Sequence, residues 1–131
     1  MRTNASLLVT GGAGFIGSAF IRTLLRKSEF TGKILNYDLL TYAGDLSFLD
    51  GFHAHPRYRF VQGDILNQAL VEKLILEEEV DTLVHFAAET HVDRSIASAA
   101  VFVETNVKGT LSLLEAARKF PRLHFHHVST D

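Results

Sequence analysis

The feature that most constrains this chain is a short apolar run, Ser6–Thr10, that breaks into Gly11-Gly12-Ala13-Gly14-Phe15-Ile16-Gly17. After the break, Phe15, Ile16, Ala19, Phe20, Leu24 and Leu25 recur at helical spacing. A strand must therefore turn sharply into a helix. Gly12-x-Gly14-x-x-Gly17 and the overlapping Gly11-x-x-Gly14-x-x-Gly17 supply the means. A glycine turn of this kind tolerates backbone angles that a Cβ would block. It also lets an anionic group approach bare amides at a positive helix N-terminus. The last glycine allows the helix to pack closely on its strand. The pattern predicts a pyrophosphate-binding turn.

Four more runs rich in apolar and β-branched residues follow: Lys33–Asp38, Arg57–Gln62, Thr82–Ala87 and Leu123–Ser129. Helix-like stretches separate them. Leu70, Val71, Leu74 and Ile75 fall on one helical face after Asn67, a plausible N-cap. Val103, Val107, Leu111, Leu114 and Ala117 form a stripe in a longer helical region from about Ser95 to Phe120. Alternating strands and helices predict an α/β fold with a parallel sheet covered on both faces. The expected architecture is a Rossmann-type, doubly wound sheet of about five strands, with residues 1–131 forming a single dinucleotide-binding domain. Ile96, Ala99, Ala100, Val101 and Phe102 add a second apolar face to the long helix. Two explanations stand: a neighbouring segment covers that face, or another subunit does.

The ends of these strands carry the next candidates. Asp38 closes the second strand about 20 residues beyond Gly17, where a dinucleotide fold places an acid on the adenosine ribose hydroxyls. No Arg or Lys follows it closely, so a 2′-phosphate would meet a carboxylate with no cation, and NAD is expected over NADP. Asp64 follows the third strand. It suits either an acceptor for the adenine amino group or an acid at the entry to a helix. Ala87 and Ala88 follow the fourth, where small side chains let a cofactor lie against the backbone or let the backbone pack closely.

Composition removes whole classes of function. The 131 residues suffice for one domain, and 47% hydrophobic against 21% charged is a globular balance. A net charge of −2 with scattered basic residues predicts neither a nucleic-acid partner nor a membrane-surface patch. The chain has no cysteine, which excludes disulfides, thiolate zinc sites and thiol catalysis. The longest apolar run is about five residues, far below the roughly 18 of a membrane span. No secretory leader is evident before the first strand. A soluble, cytoplasmic protein is expected.

Longer motifs then carry a resemblance. Thr10 to Gly17, Tyr37-Asp38-Leu39-Leu40-Thr41-Tyr42-Ala43-Gly44, Gly63-Asp64-Ile65, Ala87 to Ile96, Glu104-Thr105-Asn106-Val107-x-Gly109-Thr110 and Val128-Ser129-Thr130-Asp131 occur in that order. Together they resemble the nucleotide-sugar 4,6-dehydratases that act on dTDP-glucose, a family of extended short-chain dehydrogenases/reductases. The likeness covers essentially the whole chain. The stretch Ala87-Ala88-Glu89-Thr90-His91-Val92-Asp93-Arg94-Ser95-Ile96 is its most specific part, since related sugar epimerases differ there.

The resemblance implies NAD as cofactor, a nucleotide-sugar substrate such as dTDP-glucose, and a homodimer built partly on the long helix. It implies that Phe15 and Ile16 lie over the pyrophosphate with Gly11, Gly12, Gly14 and Gly17 beneath it. Asp38, Leu39, Leu40 and Thr41 would hold the adenosine ribose, and Asp64 and Ile65 would flank adenine. Ala87, Ala88 and Thr105 would line the nicotinamide side. Thr90, where the family usually carries serine, would reach between cofactor and sugar. Thr130 would bind the hexose, and Asp131 would protonate the departing 6-hydroxyl. The Glu expected next, a Tyr-x-x-x-Lys pair, the remaining strands and the substrate domain are not in these 131 residues. The chain is therefore expected to be the incomplete cofactor half of such an enzyme, inactive by itself. Its last strand would present an open edge, predicting marginal stability or self-association. A free-standing NAD-binding regulatory module is the alternative from another class. An epimerase or decarboxylase of the same family is the alternative within it.

Several histidines tempt a metal reading. His53-x-His55 and His124-x-His126-His127 have ligand-like spacing, but His124 and His126 share a strand face that His127 does not, and no metal is expected. His85, in mid-strand, reads as a core histidine with its hydrogen bonds satisfied. Glu77-Glu78-Glu79 reads as a solvated helix end.

Overall fold

The computed structural model describes residues 2–40, 45–87 and 99–129. Five strands form one sheet in the order β3-β2-β1-β4-β5. They are β1 (Ser6–Thr10), β2 (Lys33–Asp38), β3 (Tyr58–Gln62), β4 (Thr82–His85) and β5 (His124–His127). Every pairing is parallel, with Leu8 opposite both Leu35 and Leu83. Helices α1 (Phe15–Arg26) and α2 (Gln68–Glu77) alternate with the strands. A helical run follows β4: α3 (Ala99–Val103), a π turn (Glu104–Gly109) and α4 (Thr110–Arg118). A 3₁₀ turn, Leu46–Leu49, precedes β3.

The doubly wound arrangement follows from period-two burial. Leu7, Val9, Ile34 and Val84 point to one face and pack with Ile21, Leu24 and Leu25 of α1. Leu8, Leu35, Tyr37 and Leu83 point to the other and pack with Val71, Leu74 and Ile75 of α2 and Leu113 and Ala116 of α4. All five residues of β1 are buried, as expected of a central strand covered on both sides. Asn67 caps α2 through its side-chain oxygen, which accepts from the Leu70 amide at 3.2 Å.

The strands expected at β1 and β2 have the observed limits. The other three are shorter than expected. Arg57 leaves β3 yet still accepts from the Ile34 amide, while its guanidinium donates to the Phe30 and Gly32 carbonyls. Phe86 and Ala87 leave β4 as the chain turns at the carboxyl edge.

The long helix differs more. The stripe of Val103, Val107, Leu111 and Leu114 points outward: these residues are 45%, 61%, 56% and 46% exposed. The sheet instead receives Gly109, Leu113 and Ala116. Both sets have helical spacing, so periodicity alone does not choose between them. Small residues decide it, because Gly109 lies where a Cβ would strike Ile65 Cδ1. No helix among the described residues is long and apolar enough to cross a membrane.

Candidate functional site

The strand order reverses between β1 and β4, so the loops leaving these two strands diverge and open a crevice at the carboxyl edge. The glycine turn occupies that point. The Gly11 amide donates to the Tyr37 carbonyl at 3.1 Å, and the Gly14 amide closes the turn on the Gly11 carbonyl at 3.1 Å. Gly11 has φ 75, a left-handed conformation that penalises any side chain, and a Cβ there would stand 2.5 Å from the Ala87 amide nitrogen. The loops after β1 and β4 are thus in backbone contact. A Cβ on Gly17 would land on the Gly11 carbonyl, so that glycine serves packing.

Gly14 is different. Its φ of −78 suits any residue, and a Cβ would meet only the Gly11 carbonyl oxygen, at 3.3 Å. The fold resists a side chain there only mildly, since the Gly11 carbonyl would have to give by a few tenths of an ångström. The position is the N-cap of α1, and no side chain caps that end. Bare backbone at a positive helix end is what an anionic ligand requires. Phe15 and Ile16 lie in the first helical turn and are 76% and 64% exposed, an apolar pair beside that bare helix end.

Asp38 ends β2 next to this turn. One carboxylate oxygen accepts from the Ala13 amide at 2.9 Å and the other from the Leu40 amide at 2.7 Å. The second bond holds Leu40 at φ 60, a conformation costing roughly 1–3 kcal/mol outside glycine. Asp38 therefore fixes the loop after β2 against the glycine turn and presents a half-buried carboxylate at the sheet edge. Leu39 is exposed beside it.

Beyond β3, Asp64 turns the chain toward α2: its side chain accepts from the Leu66 amide at 2.9 Å. The helix-entry role is thus visible in the geometry. Ile65 is buried in the second core, against α4. The loop is braced from below by Tyr37, whose hydroxyl donates to the Asp64 carbonyl at 2.7 Å. Burial, then the nearby Asp64 charge, pushes the Tyr37 phenol up to about 12. A Cβ on Gly63 would come within 2.5 Å of that ring.

Ala87 is half-buried just past β4, and Thr105 lies half-buried in the π turn. Thr41, Ala88, Thr90, Thr130 and Asp131, each expected to contribute to the site, lie outside the described residues. Among the described residues, no group of three or more His, Asp or Glu side chains could hold a metal ion.

This arrangement agrees with the comparisons to known proteins. A family model described as GDP-mannose 4,6 dehydratase matches residues 8–131. The chain belongs to the GDP-mannose 4,6 dehydratase family.

Within that family, a dTDP-glucose 4,6-dehydratase of Neisseria meningitidis is 46% identical, over 95% of this chain and 37% of its own length. One from Streptomyces niveus is 50% identical, over 95% of this chain and 38% of its length. The chain thus spans under two fifths of the relatives it matches. Among solved structures, dTDP-glucose 4,6-dehydratase from Bacillus anthracis in complex with NAD superposes with a TM-score of 0.85 at 44% identity, covering 96% of this chain and 37% of that one. A UDP-glucose-4-epimerase from Stenotrophomonas maltophila with bound NAD gives 0.85 at 28% identity, over 97% and 37%.

Sequence reasoning overlooked the residues that lie beneath the candidate site. Tyr37 carries the loop after β3, and Thr10, at the end of β1, hydrogen-bonds His85 across the sheet at 2.7 Å. His85 is 1% exposed, with both ring nitrogens engaged, as its mid-strand position suggested. A hydroxyl-bearing residue at the last position of a central strand, opposite a histidine in a parallel neighbour, was the available signal.

Proposed function

We propose that this chain is the NAD-binding part of a nucleotide-sugar 4,6-dehydratase, with dTDP-glucose as the parent enzyme's substrate and a 4-keto-6-deoxy sugar as product. The observation that carries the reading is Asp38, held at the edge of the sheet beside a glycine turn whose Gly14 is left open. A carboxylate there accepts from vicinal ribose hydroxyls and repels a 2′-phosphate, which favours NAD. Gly11, Gly12, Gly14 and Gly17 form the pyrophosphate turn, and exposed Phe15 and Ile16 cover it. Leu39, Leu40 and Thr41 continue the ribose side; Asp64 and Ile65 flank adenine. Ala87, Ala88 and Thr105 wall the nicotinamide side.

Bound NAD would supply a temporary hydride acceptor, taking hydride from C4 and returning it to C6. The chain's own residues would position the sugar and move protons. Thr90 and Thr130 would hydrogen-bond the hexose. Asp131 would donate its proton to the departing 6-hydroxyl as water leaves. The remaining acid–base groups would come from a longer polypeptide, so this chain alone would not turn over.

The outward stripe Val103, Val107, Leu111 and Leu114 supports a homodimer in the full-length enzyme. Four large apolar side chains in one row are a costly surface to leave in water. We place the protein in the cytoplasm.

Calorimetric titration of the chain with NAD and NADP tests the cofactor reading. Tight NAD binding with weaker NADP binding is expected. A preference for NADP, or no binding of either, would remove the cofactor assignment from this polypeptide.

A further inference from the structure

His85 is a buried titratable residue that the reading above does not use. It stands at the last position of β4, beside Thr10 at the last position of β1. Thr10 Oγ1 is 2.7 Å from its Nδ1, and Thr110 Oγ1 is 3.0 Å from its Nε2. The Thr110 hydroxyl also donates to the Asn106 carbonyl at 3.0 Å. A hydroxyl has one proton, so Thr110 must accept from the histidine. That assigns the tautomer: Nε2 carries the proton, and Nδ1 accepts from Thr10. The hydrogen bonds run in one direction, from Thr10 through His85 and Thr110 to Asn106.

The far end of this relay is the π turn. A regular α-helix would give the Asn106 carbonyl the amide of Thr110, four residues on. Here the Thr110 amide donates to Val107 instead, and the Thr110 hydroxyl takes its place at Asn106. A hydroxyl bond to the carbonyl four residues back also occurs within α1, from Thr23 to Ala19, so what sets Thr110 apart is its second partner, His85 of β4. Turns of the π kind are uncommon and cluster at functional sites. Through Thr110 this one reaches β4, on the far side of the switch point from Asp38, while its Gly109 packs on Ile65. If Asp38 takes the adenosine ribose, the other half of a dinucleotide crosses the glycine turn toward β4, where the π turn carries Thr105.

We propose that His85 is a positioning residue: through Thr110 it holds the π turn in place, and so sets the affinity for the nicotinamide half of the dinucleotide without touching it. The inference rests on the NAD reading above. Its geometry links the strand that enters the phosphate turn to the helix that borders the opposite end of the ligand.

The test uses the chain with NAD and ADP as paired probes, since ADP lacks the nicotinamide half. Thr110→Val keeps the shape and removes the hydroxyl. It is expected to weaken NAD roughly three- to tenfold, the range for one lost hydrogen bond, with ADP affinity unchanged. Thr110→Ser should restore NAD binding. His85→Gln, whose amide nitrogen can reach Thr110, should bind NAD more tightly than His85→Leu. General destabilisation would move both ligands together, and an unchanged NAD-to-ADP ratio in Thr110→Val overturns the proposal.

Two readouts need no ligand. The ¹⁵N shifts of His85 should report the Nε2–H tautomer, and amide protection across residues 105–110 should fall in Thr110→Val but not in Thr110→Ser. An Nδ1–H tautomer or unchanged protection defeats the link itself. Failure of the wild-type chain to bind NAD, with these two results as expected, would instead remove the cofactor reading and, with it, the nicotinamide role.

Discussion

Acidification should melt this fold through one residue more than any other. Burial, with a further contribution from His127 stacked 5.0 Å away, holds the His85 imidazole down at about 4, against 6.5 for an unhindered histidine. Between these values the unfolded chain binds a proton that the folded chain refuses, so stability falls as pH falls. Above about pH 6.5 both states are neutral and there is no penalty. At pH 4 the penalty reaches about 3 kcal/mol, from roughly 1.36 kcal/mol for each pH unit between the two values. That is a large share of the roughly 5–15 kcal/mol that holds most domains together. The assay is urea unfolding at pH 7, 5.5 and 4 for the wild type and His85→Gln. Asp81, which hydrogen bonds from Ser6, Thr82 and Arg2 hold low despite its partial burial, gives up its contribution only below its ordinary value of 3.8, beneath this range and equally in both proteins. The wild type should therefore lose about 3 kcal/mol more than the variant between pH 7 and 4. Parallel losses in the two proteins would refute the argument, because they would mean that His85 is not kept neutral by the fold.

The glycine turn separates folding from binding. Gly17→Ala forces a Cβ onto the Gly11 carbonyl and should cost several kcal/mol, seen as a large drop in the urea midpoint. Gly14→Ala should melt within about 1 kcal/mol of wild type yet lose NAD affinity at least tenfold by calorimetry, since its Cβ stands at the bare helix end rather than in the core. The two faces of α4 make a second contrast. Leu113→Ala, at a fully buried position, should destabilise by about 2–5 kcal/mol. Leu111→Glu, on the outward stripe, should change the monomer's stability by only about 0.5 kcal/mol while abolishing self-association in sedimentation velocity.

Much of this architecture could be read without coordinates, and the reason is local chemistry. Apolar runs of strand length alternate with helical periodicity, and that alternation specifies a parallel, doubly covered sheet. The glycine turn, its helix and the acid at Asp38 form one short-range unit whose spacing is enforced by the βαβ crossover, so its position at the switch point followed directly. The Asn67 cap was equally local.

What remained for tertiary structure involved choices between equivalent periodic patterns and contacts across strands. The long helix carries two stripes of helical spacing, and only its packing on the sheet selects Gly109, Leu113 and Ala116 over Val107, Leu111 and Leu114. The reason is distance: a glycine lets the helix descend onto Ile65, which a larger residue would prevent. The π turn is tied to β4 by a side chain, Thr110, whose hydroxyl joins His85 to the Asn106 carbonyl. Residue type alone does not announce that link. Likewise, Tyr37 under the Asp64 carbonyl and His85 between two threonines depend on partners 25 to 75 residues away in sequence. Short-range sequence chemistry determined the elements and the phosphate turn. Packing and parallel register, which join residues distant along the chain, decided which faces meet and which polar groups lie beneath the site.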